Sequence, residues 1–163
     1  MQEARKLPPV HLWHPEHTGE IDIKIDANGN WYHEGTRIQR QPLVDLFATI
    51  LRREGDQYFL ITPAEKQRIE VADVPFMAID MDVRGSGGDT ELLFTINVGD
   101  YVMAGPEHAI VMRNEVPYLH VRDGLEAKIT RSVFYRLVEI GVEENGALNV
   151  YSQGARFDLG LTG

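Results

Sequence analysis

Two stretches of this chain repeat one pattern at a fixed separation. Ile38-Gln-Arg40 and Ile129-Thr-Arg131 lie 91 residues apart. The same offset aligns further apolar and glycine positions: Leu46 with Leu137, Leu51 with Val142, and Gly55 with Gly146. Each copy reads as a strand, an Asx-Gly turn, an amphipathic helix, a glycine and a strand pair. Self-similarity at one offset is typical of a repeated supersecondary unit, so the sequence predicts a duplication.

The first copy predicts a small α+β lobe over residues 18–73, preceded by a Pro-containing arm over residues 1–17. Alternating isoleucines in residues 21–26 indicate a half-buried strand, and Asn28-Gly29 indicates a tight hairpin turn. Apolar residues at helical spacing predict a helix from Gln41 to about Arg53.

The second copy lies in a longer, mostly β lobe over residues 74–163. The glycine-rich segment Arg84–Asp89 is typical of a hairpin loop, since it joins two alternating segments. A second helix is expected from about Ser132, as its N-cap, to Gly141. The fold class is therefore α+β in two lobes, the second a strongly bent antiparallel sheet with one helix.

Composition excludes several classes of function. The chain has no cysteine, which excludes disulfides and thiolate chemistry. Its net charge of −9, with only 16 Lys and Arg residues, argues against nucleic-acid binding and against anionic membrane surfaces. No apolar run approaches the roughly 20 residues of a membrane helix, and no secretory signal begins the sequence, so we expect a cytoplasmic protein.

The most metal-like string is His11-x-x-His14-x-x-His17 with Glu16 beside it. Pro15 opposes the regular helix that would bring these imidazoles together, so an arm packed through Leu12 and Trp13 is the favoured interpretation. No metal and no cofactor are predicted. Asp80 and Asp82 share a strand face and could form a paired acid site, although a solvated outer face explains them as well.

Five polar residues at strand ends and loops form the main candidate site: Glu65, Lys66, Asn97, Asp100 and His108. Two alternatives stay open: Asn97 and Asp100 could cap a turn, and His108 could satisfy a backbone carbonyl. Arg40 and Arg131 begin the two helices, where a cation is mildly unfavourable, so each needs a carboxylate or an anionic ligand nearby. If these side chains serve binding, alanine at Lys66 or Asn97 should reduce partner capture and leave the melting temperature nearly unchanged.

Several stretches together resemble the uncharacterised bacterial family called domain of unknown function 1285. They are Gly29–Gly35, Ile38–Arg40, Thr62–Val71, Val74–Phe76, Asn97–Asp100, Gly105–His108, Gly124–Ala127 and Arg131–Tyr135. The resemblance implies a duplicated α+β core with a second lobe like a pleckstrin-homology barrel. It also implies a binding site between the lobes, to which Arg131 and Tyr135 would contribute, and a link to signal transduction. It implies no enzymatic activity.

The sequence thus predicts a non-enzymatic binding or regulatory protein. It would capture a peptide, a protein partner or a small ligand in a groove between the lobes. The alternative is a hydrolase-type enzyme in which His108 works with Asp100 or Glu65 as acid–base groups. A third interpretation is a structural subunit, which would present a flat apolar patch.

Overall fold

Extended backbone dominates the structure, a computed structural model that describes residues 7–161. That range contains two α-helices, α1 (Gln41–Thr49) and α2 (Arg131–Ile140), and fifteen strands. The strands are β1 His17–Ile25, β2 Trp31–His33, β3 Thr36–Arg37, β4 Leu51–Glu54, β5 Gln57–Ile61, β6 Glu65–Val71, β7 Phe76–Arg84, β8 Glu91–Ile96, β9 Tyr101–Met103, β10 Ile110–Arg113, β11 Val116–Arg122, β12 Leu125–Ile129, β13 Val142–Glu144, β14 Ala147–Ser152 and β15 Ala155–Leu161. The chain divides between Pro75 and Phe76 into two compact units, here the first and the second unit.

The first unit is one six-stranded sheet in the order β3-β2-β1-β6-β5-β4. All neighbours are antiparallel except β1 and β6, which run parallel and so join the first and last strands of the unit. Ile23, Ile25 and Trp31 are buried in its core. The Trp31 ring stacks on Phe47 of α1 with 6.2 Å between centroids, and this contact fixes the helix against the sheet.

Helix α1 is shorter than the apolar pattern predicts. It ends at Thr49, and Leu51–Glu54 forms β4, so the prediction of a helix to Arg53 is wrong. Ile50 already joins the sheet, because its carbonyl accepts a hydrogen bond from the Ile61 N–H at 2.9 Å. Strand pairing with β5 satisfies the backbone groups that four more helical residues would have used.

The second unit contains a six-stranded sheet in the order β10-β11-β12-β7-β8-β9 and a three-stranded sheet, β13-β14-β15. The Gly-rich loop between β7 and β8 is the predicted hairpin connection. Ser152 on β14 ties the sheets together: its hydroxyl accepts from the Leu92 N–H at 2.9 Å and donates to the Ala104 carbonyl at 2.7 Å. The larger sheet is a curled half-barrel, and β14 is bonded to it at Leu92 and Ala104.

The helix and strand pair recur at the predicted offset. In the first unit α1 precedes β4 and β5, and in the second α2 precedes β13 and β14, with β4 and β13 starting at Leu51 and Val142. β15 also approaches β10, as β6 pairs with β1 in the first unit. This architecture, mostly β with two helices, is consistent with a two-lobed duplicated α+β fold.

One pair of residues that the repeat aligns differs in solvent exposure. Leu137 is fully buried, whereas Leu46 is 60% exposed, so these two leucines are not equivalent in packing. Helix α1 buries Val44 and Ala48 instead. The two aligned helices therefore turn different faces to their sheets, and α1 keeps an apolar residue on its outer face.

Local signals at two turns also differ from the predictions. The N-cap position of α2 is Thr130, two residues before the predicted Ser132, so Ser132 lies inside the helix. The connection at Asn28-Gly29 is a five-residue loop between Ile25 and Trp31. Asp26 closes it by accepting the N–H groups of Asn28 and Asn30, both at 2.9 Å.

The described part of the N-terminal arm is held to the first unit. Val10–Leu12 forms one 3-10 turn, and the Arg52 guanidinium donates to the carbonyls of Val10 and Trp13. The arm is thus packed on the body, as predicted, but not through Leu12, which is 66% exposed. Trp13, the other predicted contact, is half-buried, and Arg52 adds polar contacts that the sequence did not predict. Neither helix within residues 7–161 has the length and apolar content to span a membrane.

Candidate functional site

His108 and His120 form a stacked pair in the second unit, with ring centroids 6.1 Å apart. The Gly124 N–H donates to Nε2 of His120 at 3.1 Å, so that nitrogen carries no hydrogen. Its Nδ1 therefore carries the hydrogen and donates to the Glu107 carbonyl at 3.0 Å. His108 in turn donates from Nδ1 to the His120 carbonyl at 3.1 Å. Both rings thus tie the 104–109 turn to β11, the backbone-carbonyl alternative that the sequence left open.

Asp100 is held by a cation. Its Oδ2 lies 3.4 Å from Nη1 of Arg122, and both side chains are largely buried, 15% and 17% exposed respectively. The Arg122 guanidinium also lies 5.4 Å from the centroid of the Phe76 ring. Because an aromatic face favours a nearby cation, this arrangement positions Arg122 and leaves Asp100 as its counterion.

Asn97 joins two strands. Its Oδ1 accepts the Met77 N–H at 3.0 Å, and its own N–H donates to the Met77 carbonyl at 2.9 Å. These two bonds fix the start of β7 beside the end of β8. These bonds give Asn97 a structural role between two strands, which differs from the predicted capping of the following turn.

Lys66 lies on β6 of the first unit and is partly buried. Its Nζ is 2.6 Å from Oε1 of Glu54 and 4.4 Å from the centroid of the Phe59 ring. The hydrogen bond from Lys66 holds the pKa of Glu54 below its usual range. Glu65, the adjacent residue, is exposed and accepts from Gln67 at 3.1 Å. Lys66 is thus a stabilising residue whatever else it contacts.

The remaining predicted site residues are exposed. Arg40 immediately precedes α1, Arg131 begins α2, and Tyr135 on α2 is 58% exposed. The eight predicted residues divide between the units. Arg40, Glu65 and Lys66 belong to the first, and Asn97, Asp100, His108, Arg131 and Tyr135 belong to the second. Their common groove stays a prediction.

A concave surface of the first unit lies outside the predicted set. It has a volume of about 810 Å³ between α1 and the N-terminal arm. We call this surface the arm groove. Its apolar lining comprises Leu7, Pro8, Pro9, Pro42, Leu46 and Ile50. Asp45 and Thr49 supply the polar atoms of the lining. The apolar spacing of α1 gives no signal for this groove, because the groove also requires Leu7, Pro8 and Pro9 from the arm to lie beside Leu46.

Two further contacts were missed. Arg136 of α2 donates to Asp80 Oδ1 at 2.7 Å and to the Met81 carbonyl, and this bond lowers the pKa of Asp80. Asp80 is therefore the counterion of Arg136 between helix and sheet, a role that the paired-acid interpretation did not predict.

Within the described residues, no group of three or more histidine or carboxylate side chains is arranged to hold a metal ion. His11, His14 and His17 are among the residues covered by this statement.

Comparison with known proteins bears on both units. Residues 8–74 match the model of the N-terminal domain of a domain of unknown function, DUF1285. Residues 75–159 match the model of the C-terminal domain of the DUF1285 proteins of unknown function. The chain belongs to the DUF1285 family. The resemblance inferred from the motifs is confirmed, and it extends over both units of this family member.

Two solved structures of the family resemble the chain. One is the crystal structure of a DUF1285 family protein from Silicibacter pomeroyi DSS-3, with 43% identity over 98% of this chain and 90% of that chain and a TM-score of 0.92. The other, from Shewanella baltica OS155, has 30% identity over 72% of this chain and 90% of that chain and a TM-score of 0.60. No curated protein sequence matches the chain.

Proposed function

We propose that this protein is a non-enzymatic binding protein whose first unit holds an apolar segment of a partner polypeptide in the arm groove. The observation that carries this proposal is Leu46. It is 60% exposed on a helix that buries Val44 and Ala48, and it lines the groove. Burying a leucine side chain contributes about 1.5–3 kcal/mol, so a partner that covers Leu46 gains affinity there.

The groove favours a particular kind of occupant. Its walls are proline rings and aliphatic side chains, which suit one aliphatic or aromatic anchor. Asp45 is the charged residue of the lining, and Gln41 orients it through a hydrogen bond of 2.6 Å to Oδ1. The proposed occupant is therefore a peptide segment that carries an apolar anchor next to a basic side chain.

The groove is also partly organised before binding. Pro8, Pro9 and Pro42 restrict the backbone on both walls, and Arg52 holds the arm through two carbonyls. A preformed wall loses less conformational entropy when a ligand binds. A regulatory role in signalling, which the family resemblance implies, would use such a surface to capture a partner. The likeness of the second unit to a pleckstrin-homology barrel belongs to the same proposal and is supported by the curl of its larger sheet.

The enzyme alternative has less support. An acid–base pair needs groups that are free to exchange a proton with a substrate. His108 is held to the His120 carbonyl through Nδ1, and the Asp100 carboxylate is paired with Arg122. The ion pair gives Asp100 a structural role, which weakens the proposed pairing of Asp100 with His108 in catalysis.

A matched pair of leucines provides the test. Leu12 and Leu46 are both in the first unit and are 66% and 60% exposed, but only Leu46 lines the groove. The probe is a fluorescein-labelled amphipathic peptide of leucine and lysine, with binding followed by anisotropy. Leu46→Ser should weaken binding about 10-fold or more, as the loss of one buried leucine predicts, and Leu12→Ser should not. Equal affinities for the two variants would refute the groove as the site.

A further inference from the structure

Strand β1 is paired near both of its ends on one side only. β6 pairs with it over residues 17–20 and 24–25, with a register shift between them, whereas β2 pairs with it only over residues 23–25. The last bond on the β2 side is from the Glu34 N–H to the Asp22 carbonyl, at 3.0 Å. Along residues 17–21, no strand within the described part of the chain pairs with that side of β1.

The backbone direction identifies which groups face the open side. Successive residues of a strand point their N–H and C=O groups to opposite sides. The Asp22 carbonyl and the Asp26 N–H both bond toward β2, so the even-numbered residues face that side. The offset to β6 changes by two residues, from 48 at Glu20–Arg68 to 46 at Lys24–Glu70, which preserves the alternation. Thr18 and Glu20 therefore present their N–H and C=O groups to the open side.

This open edge is accessible. His17, Thr18 and Glu20 are exposed, and Ile21 is 37% exposed. Five residues at about 3.3 Å each span about 17 Å, enough for a short strand. Sheet edges of this kind can accept a further strand from another polypeptide, with main-chain bonds giving affinity and alternate side chains giving specificity.

The charges along the edge select the partner. Glu20 and Asp22 lie on β1, and Glu34 stands where β2 ends beside it. Glu20 is paired with Arg68 on β6, but Asp22 and Glu34 add further negative charge. A second copy of this chain would place like charges opposite one another, which is destabilising. A basic segment would meet opposite charges.

We propose that residues 17–21 of β1 bind a short, basic, extended segment of another polypeptide by strand addition. The incoming strand lies in line with β2 and takes main-chain hydrogen bonds from Thr18 and Glu20. Its basic side chains face the carboxylates, and an intervening apolar side chain packs beside Ile21. This site is separate from the arm groove and does not depend on it.

Amide exchange and one proline substitution test the proposal. The probe is a labelled Lys-Val-Lys-Val-Lys peptide. The Thr18 and Glu20 amides should exchange rapidly in the free protein, and their exchange should become at least 10-fold slower when the peptide binds. Thr18→Pro removes one outward N–H without breaking the ladder to β6 and should weaken binding about 10-fold or more, whereas Thr18→Val should not. Leu46→Ser should leave this affinity unchanged, which separates the result from the groove experiment.

Several results would overturn the inference. One is protection of the Thr18 and Glu20 amides in the free, monomeric protein, because the edge would then be covered already. Another is equal binding of a peptide N-methylated on alternate residues, because main-chain pairing would then not be involved. Concentration-dependent dimerisation that protects the same amides would assign the edge to a second copy. If Thr18→Pro does not fold, exchange on the unmodified protein decides.

Discussion

Removing the Ser152 hydroxyl should destabilise the second unit by about 3 kcal/mol. Ser152 is fully buried, and Ser152→Ala deletes both bonds that join β14 to the larger sheet. The Leu92 N–H loses its acceptor and the Ala104 carbonyl loses a donor, and each buried group left unpaired costs about 1–3 kcal/mol. The Ala104 N–H still bonds the Leu92 carbonyl at 3.0 Å, so the sheet itself persists.

Urea and thermal unfolding provide the assay for Ser152→Ala. For a chain of this length, 1 kcal/mol shifts the melting temperature by about 2–4 °C, so the expected loss is roughly 6–12 °C. The urea midpoint should fall while the slope stays the same. Ser132→Ala is the matched control, since Ser132 is exposed and has only a 3.5 Å contact with Thr130. A Ser152→Ala variant within about 0.5 kcal/mol of the unmodified protein would refute the bridging role.

Three further predictions follow from side-chain contacts. Because the bond from its arginine partner lowers the Asp80 pKa from the ordinary 3.8, the stability it provides should be present above pH 3.8 and lost as pH falls through the lowered value. Asp80→Asn should reduce the dependence of the urea midpoint on pH in that acidic range, and Asp82→Asn should leave this dependence unchanged. Heteronuclear NMR at neutral pH should show His120 protonated at Nδ1, and the opposite tautomer would contradict the bond from Gly124. Lys66→Ala should lower the unfolding free energy by about 1 kcal/mol, through loss of its ion pair and ring contact, where the sequence predicted almost no change.

Local chemistry made much of the fold predictable. The loop at residues 84–89 and the Asx-Gly turn of the second copy, Asp123-Gly124, follow from residues that accept positive φ, since Asp123 and Gly124 have φ values of 47° and 79°. Such signals act within a few residues, so no tertiary information is needed. The duplicated helix and strand pair could also be predicted, because the two copies keep the same spacing along the sequence.

Long-range pairing was not predictable. The parallel pairs of β1 with β6 are 46–48 residues apart and those of β12 with β7 are 51 residues apart, and no residue type predicts such pairing. The end of α1 was misjudged because Ile50 and Leu51 fit a helical period as well as the first residues of a sheet. His120 was overlooked as a site residue since its role depends on Glu107 and Gly124, which only the fold brings to its ring.

The parallel pairing of β1 with β6 has a consequence during synthesis. A ribosome adds 54 residues (71 − 17) between His17 and Val71, which takes roughly 3–11 s at about 5–20 residues per second. During that interval the β6 side of the nascent β1 has no partner strand. The β1 strands of two chains on neighbouring ribosomes of one mRNA could then pair with each other. Charged side chains oppose such contacts, so we expect Glu20 and Asp22 to keep nascent chains apart. Neutralising both as Glu20→Gln and Asp22→Asn should increase the aggregated fraction in cell-free translation, while refolding of the purified variant at low concentration stays efficient.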